Sequence, residues 1–156
     1  MLASPVLLGL LLQAAPASPG PEAFFVGRTE GNGVAHIILS GHHRVRVHSR
    51  GRIDRGGALL LDQVVEEEGK PPRRRSWRIV RVGPDRIAGT ITDARGPIEG
   101  RFNGNQLDIS YRSTDGPTVE QHIIFQPDGR TAINRMTFRR FGLSVATMEE
   151  TIRRVD

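Results

Sequence analysis

The stretch His43-Arg44-Val45-Arg46-Val47-His48-Ser49-Arg50-Gly51-Arg52-Ile53 alternates without interruption. Val45, Val47, Ser49, Gly51 and Ile53 fall on one side, and Arg44, Arg46, His48, Arg50 and Arg52 fall on the other. A side-chain period of two belongs to a β-strand with one dry face and one wet face. A helix would scatter the same residues around its whole circumference.

Working outward, the same kind of segment recurs, cut each time by turn chemistry. Leu59 to Val65 follows Gly56-Gly57, Ser76 to Val82 is closed by Gly83-Pro84-Asp85, and Ile87 to Asp93 alternates around Gly89. Ile98 to Phe102, Leu107 to Tyr111, Val119 to Phe125 and Thr131 to Phe141 come next, separated by Asn103-Gly104, Asp115-Gly116 and Asp128-Gly129. Upstream, Phe24-Phe25-Val26 and Val34 to Leu39 read as two strands joined by a turn at Gly31-Asn32-Gly33. Glu66-Glu67-Glu68, Gly69-Lys70-Pro71-Pro72 and Arg73-Arg74-Arg75 read as a hairpin tip. A four-residue loop would set Glu68 against Arg73, Glu67 against Arg74 and Glu66 against Arg75. The segment Leu143 to Ile152 fits a strand with Ala146, Met148 and Ile152 on one face. It also fits a helix with Val145, Met148, Ile152 and Val155 in a stripe and Ser144 as its cap.

About ten short strands at near-regular spacing define an all-β domain, and sequential hairpins favour an up-and-down barrel over a sandwich. A barrel of this size either fills its interior with side chains or holds one small ligand. The chain of 156 residues suffices for one domain, and its 18 glycines and 10 prolines lie between the apolar runs.

Residues 1–17 read as a signal peptide: Val6 to Leu12 is a short apolar run and Ala15-Pro16-Ala17 a cleavage pattern. Residues 18–23 then read as a linker and residues 24–156 as the barrel. The expected location is periplasmic or secreted. The chain has no cysteine, so neither a disulfide nor a lipid anchor is expected, and the apolar run is too short to span a bilayer. The net charge of +5 is almost entirely arginine, with Lys70 the one lysine. Arg44, Arg46, Arg50 and Arg52 form the densest basic stripe, suited either to a solvated outer face or to peripheral contact with an anionic membrane. No aromatics interleave these arginines to stack bases, which argues against nucleic acid.

These segments together resemble the proteobacterial family catalogued as domain of unknown function 3833, whose members look like small lipocalin-like barrels. The resemblance runs through Phe24-Phe25-Val26-Gly27 with Gly31 and Gly33, Leu61-Asp62-Gln63 and Arg75-Ser76-Trp77. It continues at Gly89, Asp93, Gly96, Gly100, Gly104-Asn105, Leu107 and Tyr111, and closes at Asn134-Arg135 and Phe141-Gly142. Many members carry an acid where Gln63 stands, an aromatic near Val65 and a lipidated cysteine, and this chain departs from each. The resemblance implies that the closing segment is a strand. It points toward lipid or fatty-acid handling, because the family's genes often neighbour genes of membrane-lipid modification.

The residues themselves offer little catalytic chemistry. No G-x-S-x-G elbow, nucleophilic cysteine, H-x-H or HExxH spacing occurs, so neither catalytic residues nor a metal or other cofactor is expected. His36, His42, His43, His48 and His122 read as surface or turn residues. Asp62 and Asp93 sit in strands among apolar neighbours, where each could be a buried acid or an arginine's partner. Arg75, Trp77, Tyr111, Asn134 and Arg135 are the candidate ligand-binding residues, with an inward arginine to hold a carboxylate. Asn134 and Arg135 are strand neighbours, so at most one points inward. Three readings follow: a carrier of a small apolar, fatty-acyl-like ligand, an enzyme or accessory factor of membrane-lipid modification, and a filled structural barrel of the envelope.

Overall fold

A computed structural model describes residues 21–156; the expected signal peptide lies outside them. A 3-10 helix, Pro21–Phe25, leads into ten strands: β1 (Gly27–Ile37), β2 (Gly41–Ile53), β3 (Leu59–Glu67), β4 (Arg73–Gly83), β5 (Arg86–Ile91), β6 (Ile98–Asn103), β7 (Gln106–Arg112), β8 (Thr118–Phe125), β9 (Thr131–Arg140) and β10 (Leu143–Arg154). Each strand pairs antiparallel with its sequence neighbours, and β1 pairs with β10, so the sheet is a closed up-and-down barrel without an edge. The closing segment is therefore a strand. Among the described residues no helix is long and apolar enough to cross a membrane.

The alternation read in β2 stands for Val45, Val47, Ser49 and Gly51, which are buried between exposed arginines, whereas Ile53, read with the inward set, is exposed at the strand's end. Three local readings do not stand. Gly31-Asn32-Gly33 is not a turn, because β1 runs straight through it, and Phe24 and Phe25 belong to the helix. The glycines serve close approach instead. A Cβ on Gly33 would collide with the Glu149 carbonyl and the Glu150 backbone of β10, and one on Gly31 would collide with the Glu150 carboxyl. The β3–β4 register also differs, with Val65 opposite Arg73, Val64 opposite Arg74 and Gln63 opposite Arg75. The acids pair elsewhere because β3 follows β2 further than it follows β4. The Glu68 amide donates to the Arg44 carbonyl, the Glu68 carboxylate meets Arg44 at 3.5 Å, and Glu67 meets Lys70 at 2.9 Å.

The helix closes one end of the barrel. Phe24 packs edge-on against Phe25 and Phe125, with centroids 5.1 and 5.4 Å apart. The Phe25 carbonyl lies so close over Gly51 that a side chain there would meet it. Glu22 and Ala23, assigned to a linker by sequence, are part of this plug, and Glu22 is clamped by Arg81 at 2.6 Å. The opposite end carries the β1–β2, β3–β4, β5–β6, β7–β8 and β9–β10 turns.

Candidate functional site

The barrel is not filled. A cavity of about 730 Å³ runs from Phe25 at the plugged end to Lys70, Asp115 and Arg140 at the other. That volume lies within the range of small-molecule sites. Its walls are the inward residues of the strands, among them Leu59, Leu61, Ile79, Ile109, Val119 and Met136. Each occupies the apolar phase of its own strand.

Polar side chains interrupt this lining in one region. Arg75 on β4 is 8% exposed and lies over the Trp77 ring, its guanidinium carbon 4.8 Å from the centroid. Its Nη1 is 3.5 Å from Asp93, which also takes an ion pair at 3.0 Å from the more exposed Arg73. The Trp77 indole donates to Gln63 at 2.7 Å, and the Gln63 amide donates to Ser49 at 3.0 Å. Trp77 meets Tyr111 edge to face at 6.4 Å. On the facing strands the Asn134 amide donates to Glu150 at 2.9 Å, and Gln121 is buried beside them.

Burial governs the ionisation of this group. Glu150 is 4% exposed, and its loss of water raises its pKa, opposed by the Asn134 hydrogen bond and the charge of Arg75. Burial likewise raises Tyr111, against the charge of Arg75. Several of these buried atoms have no protein partner: Arg75 Nε, Asp93 Oδ1, Gln121 Oε1, Asn134 Oδ1 and Glu150 Oε2. Buried polar atoms are almost always satisfied, so five unpaired atoms on residues that line one cavity mark its polar region as the unusual part of the interior.

Four of the five candidate ligand residues, Arg75, Trp77, Tyr111 and Asn134, line the cavity together. Arg135 does not. It lies on the outer face, paired with Glu149 at 3.0 Å, since its strand neighbour Asn134 takes the inward place. Of the candidate acids, Asp93 reaches Arg75, whereas Asp62 is exposed on the outer face and accepts from Ser76 Oγ at 2.7 Å. The basic stripe of β2 faces outward too. Arg44 is paired with Glu68, and Arg46 donates to Asn32 at 3.3 Å. The histidines all lie away from the cavity wall.

Glu150 and Gln121 were missed, although the sequence carried their signal. Glu150 shares the strand phase of Ala146, Met148 and Ile152, and Gln121 shares that of Val119 and Ile123. A polar residue in the apolar phase of a strand points inward.

The fold and site define a class: a closed, lipocalin-like ten-strand barrel with a hollow interior and one internal polar cluster. The chain belongs to the DUF3833 family of proteins of unknown function, whose model matches residues 17–154. Among solved structures it is similar to the S-type phycobiliprotein lyase CPES from Guillardia theta, with a TM-score of 0.69 and 9% identity over 86% of this chain and 90% of that one. A second similar structure is EF1p2_mFAP2b bound to DFHBI, with a TM-score of 0.48 and 9% identity over 85% of this chain and 94% of that one. No curated protein matches the chain.

Proposed function

We propose that this barrel binds and carries a small, largely apolar molecule with one acidic end, of the fatty-acyl kind, in the cell envelope. The observation that carries this reading is Arg75, a buried guanidinium in the wall of a largely apolar cavity. Burial holds Glu150 toward its neutral form. The local charge is then two guanidiniums, Arg73 and Arg75, against one carboxylate, Asp93. One positive charge is left over, which a ligand carboxylate complements. The apolar walls below would take the chain. The envelope location rests on the leader read at residues 1–17.

Native mass spectrometry of the mature domain from an envelope extract tests this. The expected result is a bound acyl lipid, with affinity lowered about 10–100-fold by Arg75→Met, the scale of a lost charge-assisted hydrogen bond. Arg135→Ala, on the outer face, should leave binding unchanged. A clean apo mass with no uptake of offered fatty acids would overturn the reading.

One observation favours a second reading, an enzyme or accessory factor of lipid modification. Glu150 is a carboxyl with a raised pKa inside a cavity, which suits a proton donor. The cavity sets no nucleophile beside it, however. Its one serine among the described lining residues is Ser113, which follows the end of β7 at the open rim.

A further inference from the structure

We infer that the open end of the barrel docks on an anionic lipid bilayer, with Leu39 and Phe141 entering the interface. Both residues stand at hairpin tips, Leu39 between β1 and β2 and Phe141 between β9 and β10. Both are wholly exposed. Both also have left-handed backbones, with φ of 69° and 51°, a region that bulky side chains seldom adopt. Either cost alone would be ordinary. Together, at two tips, they place large apolar groups in water at positions where a tight turn takes glycine or asparagine at lower cost.

The two tips form one patch. β1 and β10 are paired, and the Ile38 amide donates to the Val145 carbonyl at 3.1 Å, which ties the hairpins together. Ile38 and Leu143 extend the exposed apolar surface beside them. The cavity opens here, because Ile38, Leu39 and Arg140 belong to its wall.

The charge of the tips selects the partner. Ile38 to Arg44 holds His42, His43 and Arg44 and no acid, and Arg139 to Ser144 holds two arginines and no acid. Arg44 reaches Glu68 and Arg139 reaches Glu120, but Arg140 has no ion pair among the described residues. Its guanidinium donates to the Asp115 carbonyl and stays at the rim. Of the other acids that line the opening, Glu67 is held by Lys70 and Asp93 by Arg73 and Arg75, which leaves Asp115 beside Arg140 against the cations of both tips. Apolar tips flanked by cations match a surface with an anionic headgroup layer over hydrocarbon. Four side chains on two turns fall well short of the roughly 800 Å² per partner that a stable protein interface buries. Docked this way, the cavity mouth faces the membrane, and the outer stripe on β2 lies to the side.

Co-sedimentation with phosphatidylglycerol–phosphatidylcholine vesicles, and with phosphatidylcholine alone, tests the rim. It needs no ligand in the barrel, so its failure is distinct from failure of the carrier reading. Wild type should partition onto the anionic vesicles, and Arg140→Gln should lower that preference. Leu39→Gly with Phe141→Gly should reduce partitioning at least tenfold while the melting temperature stays level or rises, since glycine accepts these φ values freely. A serine change at Leu143, whose φ is ordinary, should weaken partitioning without touching the strained sites. The inference is overturned if wild type ignores anionic vesicles, or if the double glycine variant binds as wild type does. Sedimentation without vesicles would overturn it in favour of a second copy of the chain on the rim.

Discussion

Glu150 shows what one inward polar residue does to a strand that is otherwise apolar. Its carboxyl accepts from Asn134 with one oxygen, and the other lies over Gly31 of β1 without a hydrogen-bond partner. Burial raises its folded pKa above the ordinary value of about 4.3. The sign follows from proton binding. Below the ordinary value both folded and unfolded chains hold the proton, and Glu150 contributes its full stability. As pH rises through the raised folded value, the unfolded chain has already released its proton and the folded chain is forced to do so in a dry site. Stability therefore falls across that window. Glu150→Gln keeps an acceptor for Asn134 and removes the titration. Urea midpoints from about pH 4 to about pH 8 should decline for wild type relative to the variant. Parallel profiles would show that Glu150 does not hold its proton.

At the scale of the element, the strand phases were legible and the turns were only partly so. The four candidates that line the cavity, Arg75, Trp77, Tyr111 and Asn134, each stand in phase with apolar neighbours, but the sequence alone left the direction of Arg75 open. It did not decide between Asn134 and Arg135, since adjacent residues on a strand must face opposite ways whichever is inside. Glycine misled because it has two uses. Gly31 and Gly33 look like hairpin chemistry, yet they are smooth spaces on β1 beneath the β10 backbone and the Glu150 side chain. The hairpin after β3 misled for a different reason. Charge complementarity between Glu66–Glu68 and Arg73–Arg75 fits several registers, and the backbone bond from Glu68 to β2 selected another. Gly33→Val should therefore destabilise the fold by about 1–3 kcal/mol, as overpacking against a fixed backbone does. The outward neighbour Asn32→Ala should change stability by no more than about 0.5 kcal/mol. Equal effects of the two changes in thermal unfolding would contradict the close approach of β1 and β10.

At the scale of the whole molecule, closure makes the parts depend on each other. β1 and β10 are the first and last strands, and their pairing removes the two edges that an open sheet would leave. The Arg28 amide donates to Asp156 at 2.9 Å across 128 residues of sequence, so the ends of the domain are joined as well. Leu59, Trp77, Ile98, Ile123 and Ile152 belong to one cluster drawn from five strands, and Met148 joins it to a smaller cluster of Ala35, Val45, Val47 and Val65. Such a barrel should unfold as a unit. Trp77, the single tryptophan, lies inside it against Arg75 and Tyr111 and so reports the cavity directly. Its fluorescence and the far-ultraviolet circular dichroism should give the same unfolding midpoint. A fatty acid offered at about 100 times its dissociation constant should stabilise the folded state by about 2.7 kcal/mol. For a domain of this size that moves the melting temperature by roughly 5–10 °C, and both signals should move together. A shift in the Trp77 signal alone would mean that the ligand only perturbs the indole. A shift in neither would return the cavity to an unoccupied interior and leave the rim as the working surface of the barrel.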